Sequence, residues 1–145
     1  MEIKNLITYG CGDKLDIVKI KPIQNNNFVK PLGGLWSSPV NSECGWKDWC
    51  KSENFGDLNS SFIFGIKGNV LKIDSESDLE KMPWIKSTSY FEFPDFEKMM
   101  KSGIDAIWLT ENGQWATRMS RPRDLYGWDC ETVFVMNPKC ICFGK

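Results

Sequence analysis

The chain contains no histidine and only three arginines among its 145 residues. Without an imidazole it cannot use a histidine triad, a mixed Cys/His zinc site or histidine acid–base chemistry. Any catalysis therefore has to use carboxylate, tyrosine, lysine, arginine, serine or cysteine side chains. The formal net charge of -1 provides no global field that would recruit nucleic acid or a membrane surface.

Long apolar segments are also missing. No stretch approaches the roughly 18 residues of a membrane span, and the first residues lack the apolar region of a secretion signal. We therefore expect a soluble, cytoplasmic protein that makes no membrane contact. A length of 145 residues predicts a single domain, 1–145, whose core is large enough to fold without disulfides.

The six cysteines are expected to be reduced thiols, because a cytoplasmic chain of this size has no need of a disulfide framework. The alternative is a Cys-only zinc site formed by Cys44, Cys50, Cys140 and Cys142. Their C-x5-C and C-x-C spacings differ from those of the usual zinc knuckles. We therefore predict no bound metal.

Alternation of apolar and polar residues predicts the strands, and Gly, Pro, Asn or Asp marks their ends. One short strand passes through Trp36 and Ser37, which are expected to face opposite sides. The other predicted strands cover 3–9, 16–20, 61–67, 69–73, 90–93, 104–109, 114–118 and 131–136. Asn112 and Gly113 are interpreted as a tight hairpin turn between 104–109 and 114–118.

Three short helices are predicted between these strands. The first follows a cap at Asn41 or Ser42 and runs to about residue 53. The second is capped by Ser75 with Asp78 three residues later and ends before Pro83. The third covers 95–102, with glycine 103 in the position after its end. This pattern predicts an α+β domain with a largely antiparallel sheet.

The three arginines, Arg118, Arg121 and Arg123, lie within six positions of one another. Clustered guanidinium groups are suited to bidentate recognition of phosphate or carboxylate, and the alternative interpretation is a surface patch. Glu131 follows this loop and opens an apolar strand. A carboxylate held by a rigid element is typical of a catalytic acid, whereas the simpler interpretation is a solvated residue at a strand end.

Three fragments together resemble the ADP-ribosyltransferase fold, the split β-sheet cradle of bacterial mono-ADP-ribosylating toxins, poly(ADP-ribose) polymerases and RNA 2′-phosphotransferases. The first, 7–10, ends in Tyr9 and Gly10, where the family places His or Arg before Gly. The second, 33–38, resembles the family's Gly-x-aromatic-Ser/Thr strand. The third, 130–138, resembles the closing strand with its catalytic Glu. Residues 103–107 also resemble the family's Gly-Tyr-Asp-Ala strand.

The resemblance implies that the chain uses NAD as a substrate, releases nicotinamide and transfers ADP-ribose to a macromolecular acceptor, a protein rather than a nucleic acid. Glu131 would stabilise an oxocarbenium-like transition state, and Asp129 would orient the acceptor. Trp36 or Tyr9 would stack on nicotinamide, so Trp36 and Glu131 are expected in one hollow. The other implied NAD contacts are Gly10, Gly33, Gly34, Ser37, Ser38, Arg118, Arg121 and Arg123.

A small stand-alone domain of this kind fits a host-directed toxin or phage effector. The alternative is a non-catalytic binding module of the same fold that grips a protein or nucleotide through a Trp/Arg-lined cleft. Trp36, Trp46 and Trp115 beside the arginines would supply its anchor residues. A third hypothesis is a nucleic-acid binder that uses the same patch, and the net acidity counts against it.

Overall fold

The computed structural model describes residues 1–9, 16–26, 30–42, 45, 61–86, 92–120, 123–125, 128 and 130–142. Its strands are β1 (Glu2–Tyr9), β2 (Leu35–Pro39), β3 (Ser61–Lys67), β4 (Val70–Ile73), β5 (Trp84–Lys86), β6 (Glu92–Pro94), β7 (Ala106–Leu109), β8 (Thr132–Val135) and β9 (Ile141–Cys142). The helices are α1 (Phe96–Lys101) and α2 (Glu111–Thr117), with 3-10 turns η1 (Ile17–Lys19), η2 (Glu76–Lys81) and η3 (Pro138–Cys140).

Seven of these strands form one sheet in the order β4-β7-β8-β2-β1-β3-β9. Neighbouring strands run antiparallel except β4 and β7, which are parallel. β5 and β6 form a separate antiparallel pair. The predicted α+β class with a largely antiparallel sheet is therefore confirmed.

Strand β8 is buried on both faces of the sheet. On one face Phe134 packs with residues of η2 and α1, and we call this group the helix-side core; it contains Ile73, Leu79, Met82, Phe96, Met99, Ile107, Leu109, Leu125, Trp128, Phe134 and Met136. On the other face lies the second core, formed by Leu6, Phe64, Ile66, Ala106, Val133, Val135, Cys140 and Ile141. The alternation of side chains along β8 thus supplies both cores from one strand.

Two predicted helices are present, and their ends show why they form. The Asp95 side chain accepts a hydrogen bond from Lys98 N at the start of α1, and Gly103 follows its end with a φ of +91°. The Asp78 carboxylate accepts from the backbone N–H groups of Asp74 and Ser75 at the start of η2. No helix in the described ranges is long and apolar enough to cross a membrane.

The predicted hairpin at Asn112 and Gly113 is wrong, because this segment lies inside helix α2 rather than between two strands. Thr110 caps the helix by accepting a hydrogen bond from Gly113 N at 3.0 Å. A Cβ at position 113 would lie 2.0 Å from the carbonyl oxygen of Ile73. Glycine is required here because the helix lies against strand β4, not because a turn forms.

The predicted strand at 16–20 is also wrong, because its centre forms the 3-10 turn η1. The Asp16 side chain accepts a hydrogen bond from Val18 N at 3.0 Å, which holds the backbone in a local turn. Residues 43–44 and 46–53 of the first predicted helix, which include Trp46, lie outside the described residues.

Candidate active site

Glu131 immediately precedes β8 and is half-buried. One carboxylate oxygen, Oε1, accepts a hydrogen bond from Ser42 Oγ at 2.6 Å, and Oε2 accepts from Trp108 Nε1 at 3.0 Å. Each carboxylate oxygen can accept a second hydrogen bond. The two contacts therefore fix the side chain and leave it able to accept one from a bound hydroxyl group.

The main chain around Glu131 is tied to strand β2 by two serine side chains. Ser38 Oγ donates to the carbonyl oxygen of Glu131 at 2.8 Å, and Ser37 Oγ donates to that of Val133 at 2.7 Å. Both serines are buried. These hydroxyl groups reinforce the β2–β8 pairing, so the structure gives them a structural role in fixing the position of Glu131.

Trp108 reaches Glu131 from the neighbouring strand β7, where it pairs with Val133. The ammonium of Lys72, on β4, lies 4.6 Å from the centre of the Trp108 ring. A cation over an indole face is attracted by the ring quadrupole. Lys72 and Trp108 thus form a packed pair whose indole N–H points to the carboxylate.

Trp36 does not share a hollow with Glu131, so that expectation is corrected. It pairs with Phe134 across β2 and β8, and its ring lies 4.2 Å from the Phe134 ring and 5.1 Å from that of Trp128. These partners belong to the helix-side core, whereas Trp108 and the Glu131 carboxylate lie on the opposite face. Side chains at positions 36 and 37 do face opposite sides, as predicted.

The double glycine forms a bend before β2, with φ of +81° at Gly33 and +71° at Gly34. A Cβ on Gly33 would lie 2.1 Å from Pro22 O, and one on Gly34 would lie 2.5 Å from the Phe134 ring. The Gly34 N–H donates to Lys21 O at 2.9 Å. The glycines therefore allow close approach of the chain to itself, and the Gly34 amide is already used.

Two of the three arginines make contacts away from Glu131. Arg123 forms ion pairs with Glu92 and Glu80 at 3.2 and 3.1 Å and lies 5.7 Å from the Trp84 ring. Arg118 lies 6.0 Å from the ring centre of Trp115. Arg121 lies outside the described residues. Arg123 therefore has a structural role next to the β5–β6 pair.

Tyr9 is half-buried at the end of β1, where it pairs with Ser61 of β3. Gly10 and Asp129 lie outside the described residues, so their predicted roles remain predictions. Among the described residues, Cys130, Cys140 and Cys142 form no disulfide bond. Burial, followed by the nearby Asp105 charge, raises the pKa of Cys140 to about 12. A buried thiol with such a pKa is unreactive at neutral pH.

No group of three or more His, Cys, Asp or Glu side chains is arranged to hold a metal ion within the described part of the chain. The cysteines at 44 and 50, which the zinc alternative requires, lie outside it.

A hollow of about 240 Å³ opens at the other end of β7, lined by Met1, Gly68, Asn69, Val70, Leu71 and Ile104. This hollow is separate from the Glu131 site.

Sequence reasoning misses the two residues that hold the Glu131 carboxylate. The sequence pattern favours a helix cap at Ser42, and it includes Trp108 only as part of a strand. The alternation along 104–109 could place Trp108 on one face of its strand, but it carries no information about the neighbouring strand.

No family model, curated protein or solved structure matches the chain.

Proposed function

We propose that this protein is an ADP-ribosyltransferase-like enzyme that cleaves NAD, releases nicotinamide and transfers ADP-ribose to a macromolecular acceptor. The observation that carries the proposal is the Glu131 carboxylate, held by Ser42 and Trp108 at the start of a buried central strand. A protein acceptor and a host-directed toxin or phage effector role belong to the same proposal.

The position of three separate segments supports this assignment. Thr8 Oγ1 on β1 donates to Trp36 O on β2 at 2.9 Å, and Ser38 on β2 donates to Glu131 O at 2.8 Å. The fragments that resemble the family's first, second and closing strands therefore lie side by side, although 28 and 93 residues separate the bonded positions. β1 and β2 join over only two residue pairs, which is compatible with a split sheet.

The chemistry of the proposed reaction needs a fixed negative charge. Cleavage of the bond between nicotinamide and ribose develops positive charge on the sugar, as in glycoside hydrolysis. A preorganised carboxylate stabilises that charge without reorganising during the reaction. Because both oxygens of Glu131 are already held by protein donors, the carboxylate can accept the ribose 2′-hydroxyl in a defined orientation.

The geometry narrows the set of residues assigned to NAD. Trp36 packs against the helix-side core, so we assign stacking on nicotinamide to Tyr9. Arg123 forms ion pairs with two carboxylates, and we assign the pyrophosphate contact to Arg118 and Arg121. Asp129 keeps its proposed role in orienting the acceptor.

The direct test measures nicotinamide released from NAD, with cell lysate as the source of acceptors. The wild type should release nicotinamide, and Glu131→Gln should reduce the rate by about 10²-fold or more while retaining the same melting temperature. Glu2→Gln is a matched control on an exposed position of β1 and should retain the full rate. A folded wild type that releases no nicotinamide would contradict the proposal.

The variant Trp108→Phe provides a second test of the site, because it keeps an aromatic ring and removes the N–H that donates a hydrogen bond to Glu131. We expect kcat to fall by about 10-fold or more, since a misplaced catalytic group acts mainly on the reacting state. KM for NAD should change much less. A rate equal to that of the wild type would show that the Trp108 contact does not position Glu131.

A non-catalytic binding module is the second candidate, and one observation favours it. Trp115 is 63% exposed with Arg118 beside it, which is the composition of a binding anchor. Tyr9 in place of the family's His or Arg also suits a fold that has lost NAD chemistry. A binding module should release no nicotinamide, and the Glu131→Gln substitution should leave its partner binding unchanged.

A further inference from the structure

A lysine ammonium lies on the same face of the sheet as the Glu131 carboxylate. Lys72 pairs with Trp108 across β4 and β7, so the two side chains project from one face. Lys72 is exposed, and its ammonium lies 4.6 Å from the centre of the Trp108 ring. The N–H of that ring donates to Glu131 Oε2 at 3.0 Å. One indole ring therefore joins a cation to the candidate catalytic carboxylate.

The Lys72 ammonium is available to a ligand. Within the described ranges it forms no ion pair, in contrast to Lys81 and Arg123. The acidic residue two positions along the chain, Asp74, instead accepts a hydrogen bond from Thr110. An ammonium over a ring face keeps N–H donors for other acceptors, because the attraction of the ring is electrostatic. The contact also orders a long side chain in advance, which lowers the entropic cost of binding.

The spacing of cation and carboxylate suits a small ligand. Strand β7 lies between β4 and β8, so the backbones of these two strands are about 10 Å apart. The Trp108 indole occupies this gap, with Lys72 over its face and Glu131 at its N–H edge. A pentose with a phosphate group spans a similar length between its hydroxyl groups and its phosphate. Lys72 and Glu131 can therefore contact opposite ends of one sugar phosphate.

Charge determines which group of the ligand binds at each end. A carboxylate accepts hydroxyl groups and repels anions, whereas an ammonium binds phosphate oxygens through charge-assisted hydrogen bonds. We infer that Lys72 binds the phosphate of a ribose 5-phosphate group whose hydroxyl group donates to Glu131. This role rests on the Glu131 site of the proposed function and gives that site a sugar phosphate as its ligand class. Each ribose of NAD carries a phosphate at its 5′ position, so Lys72 adds to the contacts assigned to Arg118 and Arg121.

NMR titration of the isotope-labelled full chain with ribose 5-phosphate and with ribose tests the inference. The indole N–H signal of Trp108, identified by its loss in Trp108→Phe, reports binding at the site. The wild type should bind ribose 5-phosphate about tenfold or more tightly than ribose, because a charge-assisted hydrogen bond contributes to the phosphate complex alone. Lys72→Gln should remove most of this difference, and Lys72→Arg should retain it, since arginine keeps the charge and the ring contact.

Two controls separate this contact from general attraction of anions. Lys86→Gln removes another exposed lysine, on β5, and should bind ribose 5-phosphate as the wild type does. Inorganic phosphate should bind more weakly than ribose 5-phosphate, because it lacks the hydroxyl groups that Glu131 accepts. Circular dichroism melting should show that all the variants are folded.

Three results would overturn the inference. They are equal binding of ribose 5-phosphate by the wild type and Lys72→Gln, a wild-type Trp108 signal that does not respond to millimolar ribose 5-phosphate, and inorganic phosphate that binds as tightly as the sugar phosphate.

The titration requires no turnover, because neither sugar carries nicotinamide. A wild type that binds ribose 5-phosphate through Lys72 but releases no nicotinamide from NAD would contradict the transferase proposal alone. Release of nicotinamide together with sugar-phosphate binding that is indifferent to Lys72 would contradict the role of Lys72 alone.

Discussion

Gly34 shows how strictly a single position in this protein is determined. Its φ of +71° is unfavourable for other residues, and a Cβ would lie 2.5 Å from the Phe134 ring. Gly103 has a φ of +91°, but a Cβ added there would lie 4.0 Å from its nearest neighbour, the side-chain nitrogen of Asn69. The two glycines therefore share the backbone requirement and differ in the space available.

Gly34→Ala should reduce the free energy of unfolding by about 3 kcal/mol or more, because steric overlap in the core adds to the cost of the left-handed conformation. Gly103→Ala should cost about 1–2 kcal/mol, which is the conformational cost alone. Urea unfolding of both variants measures the difference. Equal losses would show that the core accommodates the methyl group at position 34.

Gln114 is 2% exposed, and neither its amide nitrogen nor its amide oxygen has a hydrogen-bond partner among the described residues. A buried polar group in this state costs about 1–3 kcal/mol. Gln114→Met keeps the length and helix propensity of the side chain and should therefore raise the free energy of unfolding by a similar amount. Gln114→Glu should lower it, because a charge would be buried. Destabilisation by methionine would contradict the prediction.

At the scale of elements, η2 depends on a titratable residue. The pKa of Asp78 is lowered from 3.8 to about 2. The largest cause is the hydrogen bond that its carboxylate accepts from the backbone N–H of Asp74, and the second is its hydrogen bond with Lys81. Lys81 Nζ lies 2.9 Å from the carboxylate. Because the folded-state pKa lies below the unfolded value, Asp78 stabilises the fold above about pH 4 and loses this contribution as the pH falls towards 2.

Asp78→Asn should therefore lower stability at pH 6 and flatten its decline between pH 4 and pH 2. Urea midpoints at several pH values, compared with the wild type, measure this effect. Glu76→Gln, in the first turn of the same helix, should keep the decline that Asp78 produces. An identical pH dependence in wild type and Asp78→Asn would show that Asp78 does not contribute to it.

Helix α2 shows why an element can be predicted wrongly from a strong local signal. Asn112 and Gly113 favour a turn, yet Thr110 and Glu111 supply a helix cap and an acidic first turn. The contact between Gly113 and the Ile73 carbonyl decides between the two. That contact joins residues about 40 positions apart, and no local pattern contains it.

At the scale of the molecule, β8 links the two cores. Phe134 is fully buried and lies 4.2 Å from the Trp36 ring, 5.9 Å from Trp128 and 6.0 Å from Phe96, between ring centres. Val133 and Val135 belong to the second core on the opposite face. A loss of packing at Phe134 should therefore affect both faces of the sheet.

Phe134→Ala should reduce the free energy of unfolding by about 3–5 kcal/mol, through lost burial and an unfilled cavity. Tryptophan fluorescence and far-UV circular dichroism should report the same midpoint, because the two cores share β8 and unfold together. Val18→Ala, at an exposed position, should change stability by less than about 0.5 kcal/mol. Two separate transitions would show that the cores are independent.

The sequence by itself determined the alternation of side chains along strands β1, β3, β4 and β8 and the start of α1 at Asp95. It also determined that the Glu131 carboxylate lies immediately before β8. These features depend on short-range geometry: a side-chain period of two, backbone capping and the φ that glycine allows. The ADP-ribosyltransferase resemblance stays a prediction from short fragments, because it concerns function and not local structure.

The tertiary structure alone decided which strands are neighbours and therefore which side chains meet. Ser42 and Trp108 hold Glu131 from 89 and 23 residues away, and Trp36 packs with Phe134 on the other face. Alternation fixes the relative faces of residues within one strand, whereas pairing between strands depends on burial summed over the whole sheet. For that reason the sequence indicated Glu131 as the candidate residue, and only the fold determined which side chains donate hydrogen bonds to its carboxylate.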